Sequence, residues 1–181
     1  SKTLLKEIID FTGWSLVGQI STVFRNQAIT VLINQLFNPA TVAARTIALT
    51  IASQVMVFSN NLNTGLYPPI IKSYAAHQKQ EMFNLVLNGS KLTFFLMWVF
   101  ALPMLLEMKT ILMLWLSTPP PETITFAQLS LVESIIFSIS LPLTTAARAP
   151  GKMRLYELSL GSIQIAIFIV SWLVLKAGYS A

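Results

Sequence analysis

Three ionisable side chains, Arg25, Arg45 and Glu133, fall inside long apolar runs of this sequence. A charge at the centre of a bilayer costs roughly 2.5–3.5 kcal/mol on insertion scales, so such residues normally face protein or a watery cavity. Two arginines and one glutamate leave a net positive set, which attracts phosphate or carboxylate and repels an organic cation. Arg25 lies near the middle of its run. Arg45 enters the next run by only a few residues, where snorkelling to the interface explains it as well as function does. Glu133 shares its segment with Ser130, Ser134 and Ser138. A carboxylate there can protonate, couple transport to protons or pair with an arginine, and pairing is the more ordinary role.

The polar neighbours of these charges are periodic. At 100° per residue, Ser15, Gln19, Thr22, Asn26, Thr30 and Asn34 form one stripe, flanked by Arg25 and Gln27. In the next run Thr46, Thr50, Ser53, Asn60 and Thr64 align, with Gln54 and Asn61 beside them. Such stripes either glue neighbouring membrane helices together or line a hydrated path. Glue does not need a permanent cation, which favours the path. Pro142 and the glycines Gly13, Gly18 and Gly65 are candidate bending points.

Enzymatic readings find no support. The single histidine, His77, falls in a polar linker and reads as solvated, and there is no cysteine. Gly151-Lys152 lacks the upstream glycine of a phosphate-binding loop, and no paired carboxylates or metal-ligand spacing occur. No catalytic residue, cofactor or metal is expected. The cations are scattered between apolar runs instead of forming a stripe with interleaved aromatics, which argues against nucleic acid.

The elements that carry these residues are membrane helices. With 54% hydrophobic and 10% charged residues, the chain is far from a soluble composition, in which about a quarter of residues are charged. Crossing ~30 Å of hydrocarbon needs about 20 apolar helical residues. Five spans are expected, near 14–37, 42–66, 87–106, 126–145 and 155–175. The fold class is an all-α polytopic bundle within a single membrane domain over 1–181. Asn38-Pro39 predicts a turn, Pro68-Pro69 a stop to the second helix, Pro119-Pro120-Pro121 a helix-free connection, and Pro150-Gly151 a short last turn. Between spans two and three, residues 70–88 suit either an interfacial helix or a solvated linker. Ser1 to Asp10 is polar and of mixed charge, unlike a cleavable signal.

Cationic loops stay in the cytoplasm. Lys2, Lys6, Lys72, Lys79, Lys91, Arg148, Lys152 and Arg154 fall on the amino-terminal side, against Lys109 and Lys176 on the other, eight to two. That bias predicts a cytoplasmic amino terminus. Trp14, Trp115 and Tyr156 sit near span ends, as amphipathic rings do at headgroup depth.

The segments Trp14-Ser15-Leu16-Val17-Gly18, Arg25-Asn26-Gln27, Ala43 to Ala48, Pro68 to Ala75, Ser90-Lys91 before Phe94-Phe95, Ile111 to Leu116, and Pro142 to Ala146 followed by Gly151-Lys152 and Tyr156 are spread along the chain. Together they resemble the oligosaccharide flippase family of the multidrug/oligosaccharidyl-lipid/polysaccharide superfamily. The resemblance runs over almost the whole chain and departs from the family pattern at Asn26, Ala28 and Pro150. It implies transport of a polyprenyl-diphosphate-linked oligosaccharide across the bacterial inner membrane for O-antigen or capsule assembly. On that reading Arg25 and Arg45 bind the diphosphate, and Gln27, Asn60, Asn61 and Asn63 contact sugars or neighbouring helices. The partners implied are membrane lipids, the lipid-linked glycan and a further amino-terminal lobe, because the match is to part of the carboxy-terminal lobe of a 12–14-helix transporter. Two other readings stay open: an inactive or structural remnant that packs with a partner half, and a multidrug exporter of the same superfamily.

Overall fold

The computed structural model describes residues 2–151 and 153–176, without the side chains at 2–4, 6–8, 10, 11 and 175. Lys152 and the side chains of Lys2 and Lys6, counted among the cytoplasmic cations, therefore lie outside the described residues. Within them are six helices and no strand: α1 Lys2–Leu36, α2 Pro39–Ala75, α3 Lys79–Leu106, α4 Met108–Leu116, α5 Thr123–Arg148 and α6 Met153–Lys176. Four of them, α2, α3, α5 and α6, are long and apolar enough to cross a membrane. The first of the five expected spans falls in α1, which is 35 residues long but is not among the four. Gln19, Arg25, Asn26, Gln27, Asn34 and Gln35 dilute its apolar residues.

The helix ends follow local chemistry. The residue before a proline is disfavoured in helix, and proline suits a first helical position, so Asn38-Pro39 closes α1 and opens α2 as expected. After α2 the chain turns through His77, whose φ of 59° is left-handed. Its N–H donates to the Tyr74 carbonyl and that of Gln78 to Ser73, the paired bonds that close a helix carboxy terminus. The solitary histidine is thus a capping residue on an exposed turn. Pro119 to Pro121 keep the connection between α4 and α5 free of helix, and Gly151, at φ 72°, turns α5 into α6.

Three expectations are corrected. Pro68-Pro69 do not stop the second helix: α2 continues through both to Ala75. A proline loses one intrahelical bond, and continuing the helix carries Ile70 into its buried contact with Met82 and Val86. Residues 70–88 form no separate interfacial helix or linker. Ile70 and Ser73 belong to the end of α2, Met82 and Val86 to the start of α3, and all four are buried. Ile70, Met82 and Val86 pack on one another, so these apolar side chains serve a helical hairpin and not a membrane surface. The third correction is α4, an additional nine-residue helix between the third and fourth expected spans.

Residues Ala40–Pro150 form one compact unit, while Ser1–Pro39 and Gly151–Ala181 form another. In the first, α3 and α5 pack antiparallel, with Gly89 against Pro142 at one end and the Gln128 amide donating to the Leu105 carbonyl at 3.0 Å near the other. Pro142 cannot donate to the carbonyl one turn earlier. Beside that break the Ser90 hydroxyl of α3 donates to the Ile139 carbonyl of α5 at 2.9 Å, the kind of outside donor that lets membrane helices tolerate proline. Pro142, offered above as a bending point, is fully buried in this contact. Ala48, Ile51 and Val55 of α2 close the core with Met97, Ala101, Met108, Leu112, Ala127, Leu131 and Ile135, and the rings of Phe58 and Phe100 stack at 4.0 Å.

The outward faces are apolar as well. Leu92, Phe95 and Val99 on α3, Leu129, Ile136 and Phe137 on α5, and Ile163, Ile165 and Val170 on α6 are exposed. Contiguous apolar surface on this scale is unfavourable in water and expected against lipid.

Candidate functional site

The second unit consists of α1 and α6, and three contacts set their register. The Arg154 guanidinium lies over the Trp14 ring at 5.7 Å, the Glu157 carboxylate sits directly on Gly18, and the Ser21 hydroxyl is 3.9 Å from where a Gly161 Cβ would stand. Both numbers of each pair increase together, so the helices run parallel. Small residues allow this approach, as is usual where membrane helices touch. Gly18 is therefore a packing position and not a hinge, whereas Gly13 and Gly65 meet nothing within 4 Å.

One further turn along this seam places Arg25 of α1 beside Gln164 of α6, which is close to the midpoint of Met153–Lys176. α6 is long and apolar enough to cross a membrane, and its parallel partner in register brings Arg25 level with the midpoint of that helix. Arg25 is half-buried. One terminal nitrogen, Nη2, donates to Asn26 Oδ1 at 3.1 Å, while its Nε is buried without a partner, as is Gln164 Oε1. Glu157 is 2% exposed.

The polar stripe of α1 does not coincide with the seam. Gln19, Thr22, Asn26 and Asn34, with the flanking Gln27, are exposed, whereas Ser15 and Thr30 are half-buried. The stripe of α2 is open too: Thr46, Thr50, Ser53, Asn60 and Thr64 are exposed, together with Gln54 and Asn61. The hydroxyls report little, since Thr22, Thr30, Thr46, Thr50 and Thr64 each donate to the carbonyl four residues earlier in the same helix. A back-bonded hydroxyl is tolerated against lipid, water or protein. The amides and Arg25 are the groups that demand a polar neighbour.

The other expected site residues are dispersed. Arg45 lies near the start of α2 and is half-buried. Asn60 is about 22 Å further along the same helix at 1.5 Å per residue, so Arg45 and the asparagines do not share one small ligand group. Asn63 is half-buried and accepts a long bond, 3.4 Å, from the Thr145 hydroxyl of α5, which gives it a helix-packing role. Glu133 is exposed on the outer face of α5, in a shallow open groove with Leu129, Val132, Ile136, Phe137 and Ser140. Ser134 and Ser138 are buried and bonded within their own helix, so the serines and the carboxylate point different ways.

Sequence reasoning missed Glu157, Gln164 and Gly161. Their spacing of four and then three residues in an otherwise apolar run was the available signal. It marks a helix-contact face without saying which helix it contacts.

Because the chain has no cysteine, the register is directly testable. Ser21→Cys with Gly161→Cys is expected to form a disulfide under mild oxidation, because Ser21 Oγ stands 3.9 Å from the Gly161 Cβ position, close enough for two sulfurs to meet after a small adjustment. Ser21→Cys with Ile169→Cys, two turns further on, is expected to remain reduced. Peptide mass spectrometry reads both.

Fold and composition define a polytopic, all-helical, membrane-embedded protein whose polar residues concentrate on α1 and α2. No protein-family model matches the chain, and no curated protein and no solved structure matches it.

Proposed function

We propose that this chain is part of a transporter that moves a polyprenyl-diphosphate-linked oligosaccharide across the bacterial inner membrane, from the cytoplasmic leaflet, for surface polysaccharide assembly. The amino terminus lies on the cytoplasmic side. The observation that supports the reading is Arg25, in register with the middle of α6 in the parallel α1–α6 pair and next to an exposed row of amides. A fixed cation there suits a diphosphate and disfavours a cationic drug. The exposed amides of Asn26 and Gln27 beside it supply donors and acceptors that a glycan requires, and within the other unit Asn60 and Asn61 expose the same groups. The cationic ends agree with the proposed orientation: Lys72, Lys79 and Arg148 lie at one end of the α2–α5 unit and Lys109 at the other.

A second reading, a structural half that only packs with a partner, takes its support from the Thr145–Asn63 contact and the back-bonded hydroxyls. Reconstitution separates the two. Proteoliposomes containing the chain are expected to move a fluorescent polyprenyl-diphosphate oligosaccharide between leaflets, read as label protected from a membrane-impermeant quencher. Protection no greater than in protein-free vesicles would sink the transport reading for this chain.

A further inference from the structure

We propose that Gln164 is a positioning residue for Arg25, its Oε1 accepting a hydrogen bond from the guanidinium Nε across the α1–α6 seam. Register and chemistry lead to the same pair. Ser21 of α1 meets Gly161 of α6; four residues on from the first is Arg25, and three residues on from the second is Gln164. Both steps return to the same helix face. Arg25 Nε and Gln164 Oε1 are two of the buried side-chain atoms that have no hydrogen-bond partner. One can only donate and the other only accept, and each otherwise bears the full cost of an unmade bond. A hydrogen bond between the two atoms satisfies both.

The consequence concerns how the cation is presented. A guanidinium is a rigid fork. Held at Nε by Gln164 and at Nη2 by Asn26 Oδ1, it has few orientations left, and its remaining N–H groups stay available to an anionic oxygen. An arginine ordered before the ligand arrives loses less conformational freedom on binding than a mobile one. This last step rests on the transport reading given above; the Arg25–Gln164 bond does not.

The full chain in nanodiscs tests the two parts separately. Thermal unfolding midpoints of wild type, Arg25→Met, Gln164→Leu and the double variant form a cycle. A direct bond predicts that both single changes lower the midpoint and that the double change adds little to the larger of them. Additive effects would overturn the bond. Gln164→Glu guards against misfolding, since a carboxylate still accepts from Nε and is expected to keep the midpoint at or above that of wild type. A fall in the midpoint as large as that of Gln164→Leu would also overturn the bond.

Binding of a polyprenyl diphosphate in the same nanodiscs is the readout that a merely structural role would not move. Gln164→Leu is expected to weaken binding about tenfold by freeing the guanidinium. Gln164→Glu is expected to weaken it at least as much while remaining stable, because the carboxylate neutralises the cation. Unchanged binding in both would overturn the positioning role. Coupling in the cycle with no diphosphate binding by wild type would leave the bond standing and remove the transport reading.

Discussion

Gly18→Leu is expected to separate α1 from α6. A side chain at position 18 meets the Glu157 carboxylate, which is 2% exposed, so that group must shift to admit a leucine. Overpacking a close contact costs about 1–3 kcal/mol. The thermal midpoint should fall, and the Ser21→Cys, Gly161→Cys cross-link should drop with it. Two companions make the cause specific. Gly13→Leu lies on the same helix in open space and is expected to leave both readouts unchanged. Glu157→Ala in the Gly18→Leu background is expected to recover part of the cross-link by making room for the new side chain. A cross-link that survives Gly18→Leu at full yield would show that the helices do not meet at Gly18.

Arg25→Ala is expected to produce the largest functional loss. A hydrogen bond to a charged group contributes about 1.5–3 kcal/mol, so if Arg25 is the cation that meets the diphosphate, as proposed, its removal should reduce translocation roughly ten- to a hundredfold. Arg25→Lys keeps the charge but not the fork, and an intermediate rate is expected. The comparison with Arg45→Ala is informative. Arg45 lies near the start of α2 and about 22 Å from Asn60 along that helix, so its removal should act more weakly if the diphosphate is held at Arg25. Equal losses would distribute the anion between the two arginines. No loss from Arg25→Ala would remove the residue from the transport path.

The parts of this architecture that depend on near neighbours were readable from the residues alone. Apolar run length located the centres of α2, α3, α5 and α6, and proline placed the breaks at Asn38-Pro39 and Pro119 to Pro121. Pro68-Pro69 misled because the cost of proline depends on the surroundings, and here the helix beyond them is held by Ile70 packing on Met82 and Val86 of α3. Met108–Leu116 was hidden because the apolar run Ile111 to Leu116, so soon after Leu106, looks like the tail of the preceding span. The break is set by the Glu107 backbone (φ −105°, ψ 21°) and no local signal gives it. The polar stripes were visible as periodicity; the α2 stripe is exposed, whereas Ser15 and Thr30 of the α1 stripe are half-buried. Which helix pairs with α1 was not visible. The partner of Gly18 lies in α6, at the other end of the chain, and only packing brings Glu157, Gly161 and Gln164 to it. Arg25 could therefore be recognised as an intramembrane cation without any indication of what holds it.

The central claim is that the amide row of α1 faces water at mid-bilayer depth. Single cysteines in this cysteine-free chain test it in sealed vesicles. Asn26→Cys, on the exposed stripe beside Arg25, is expected to react with a small membrane-impermeant thiol reagent. Ile163→Cys, on the exposed apolar face of α6 next to Gln164 and so at matching depth, is expected to stay unlabelled. If Asn26→Cys is as unreactive as Ile163→Cys, the stripe is sealed by lipid or protein, and the hydrated path proposed here does not exist.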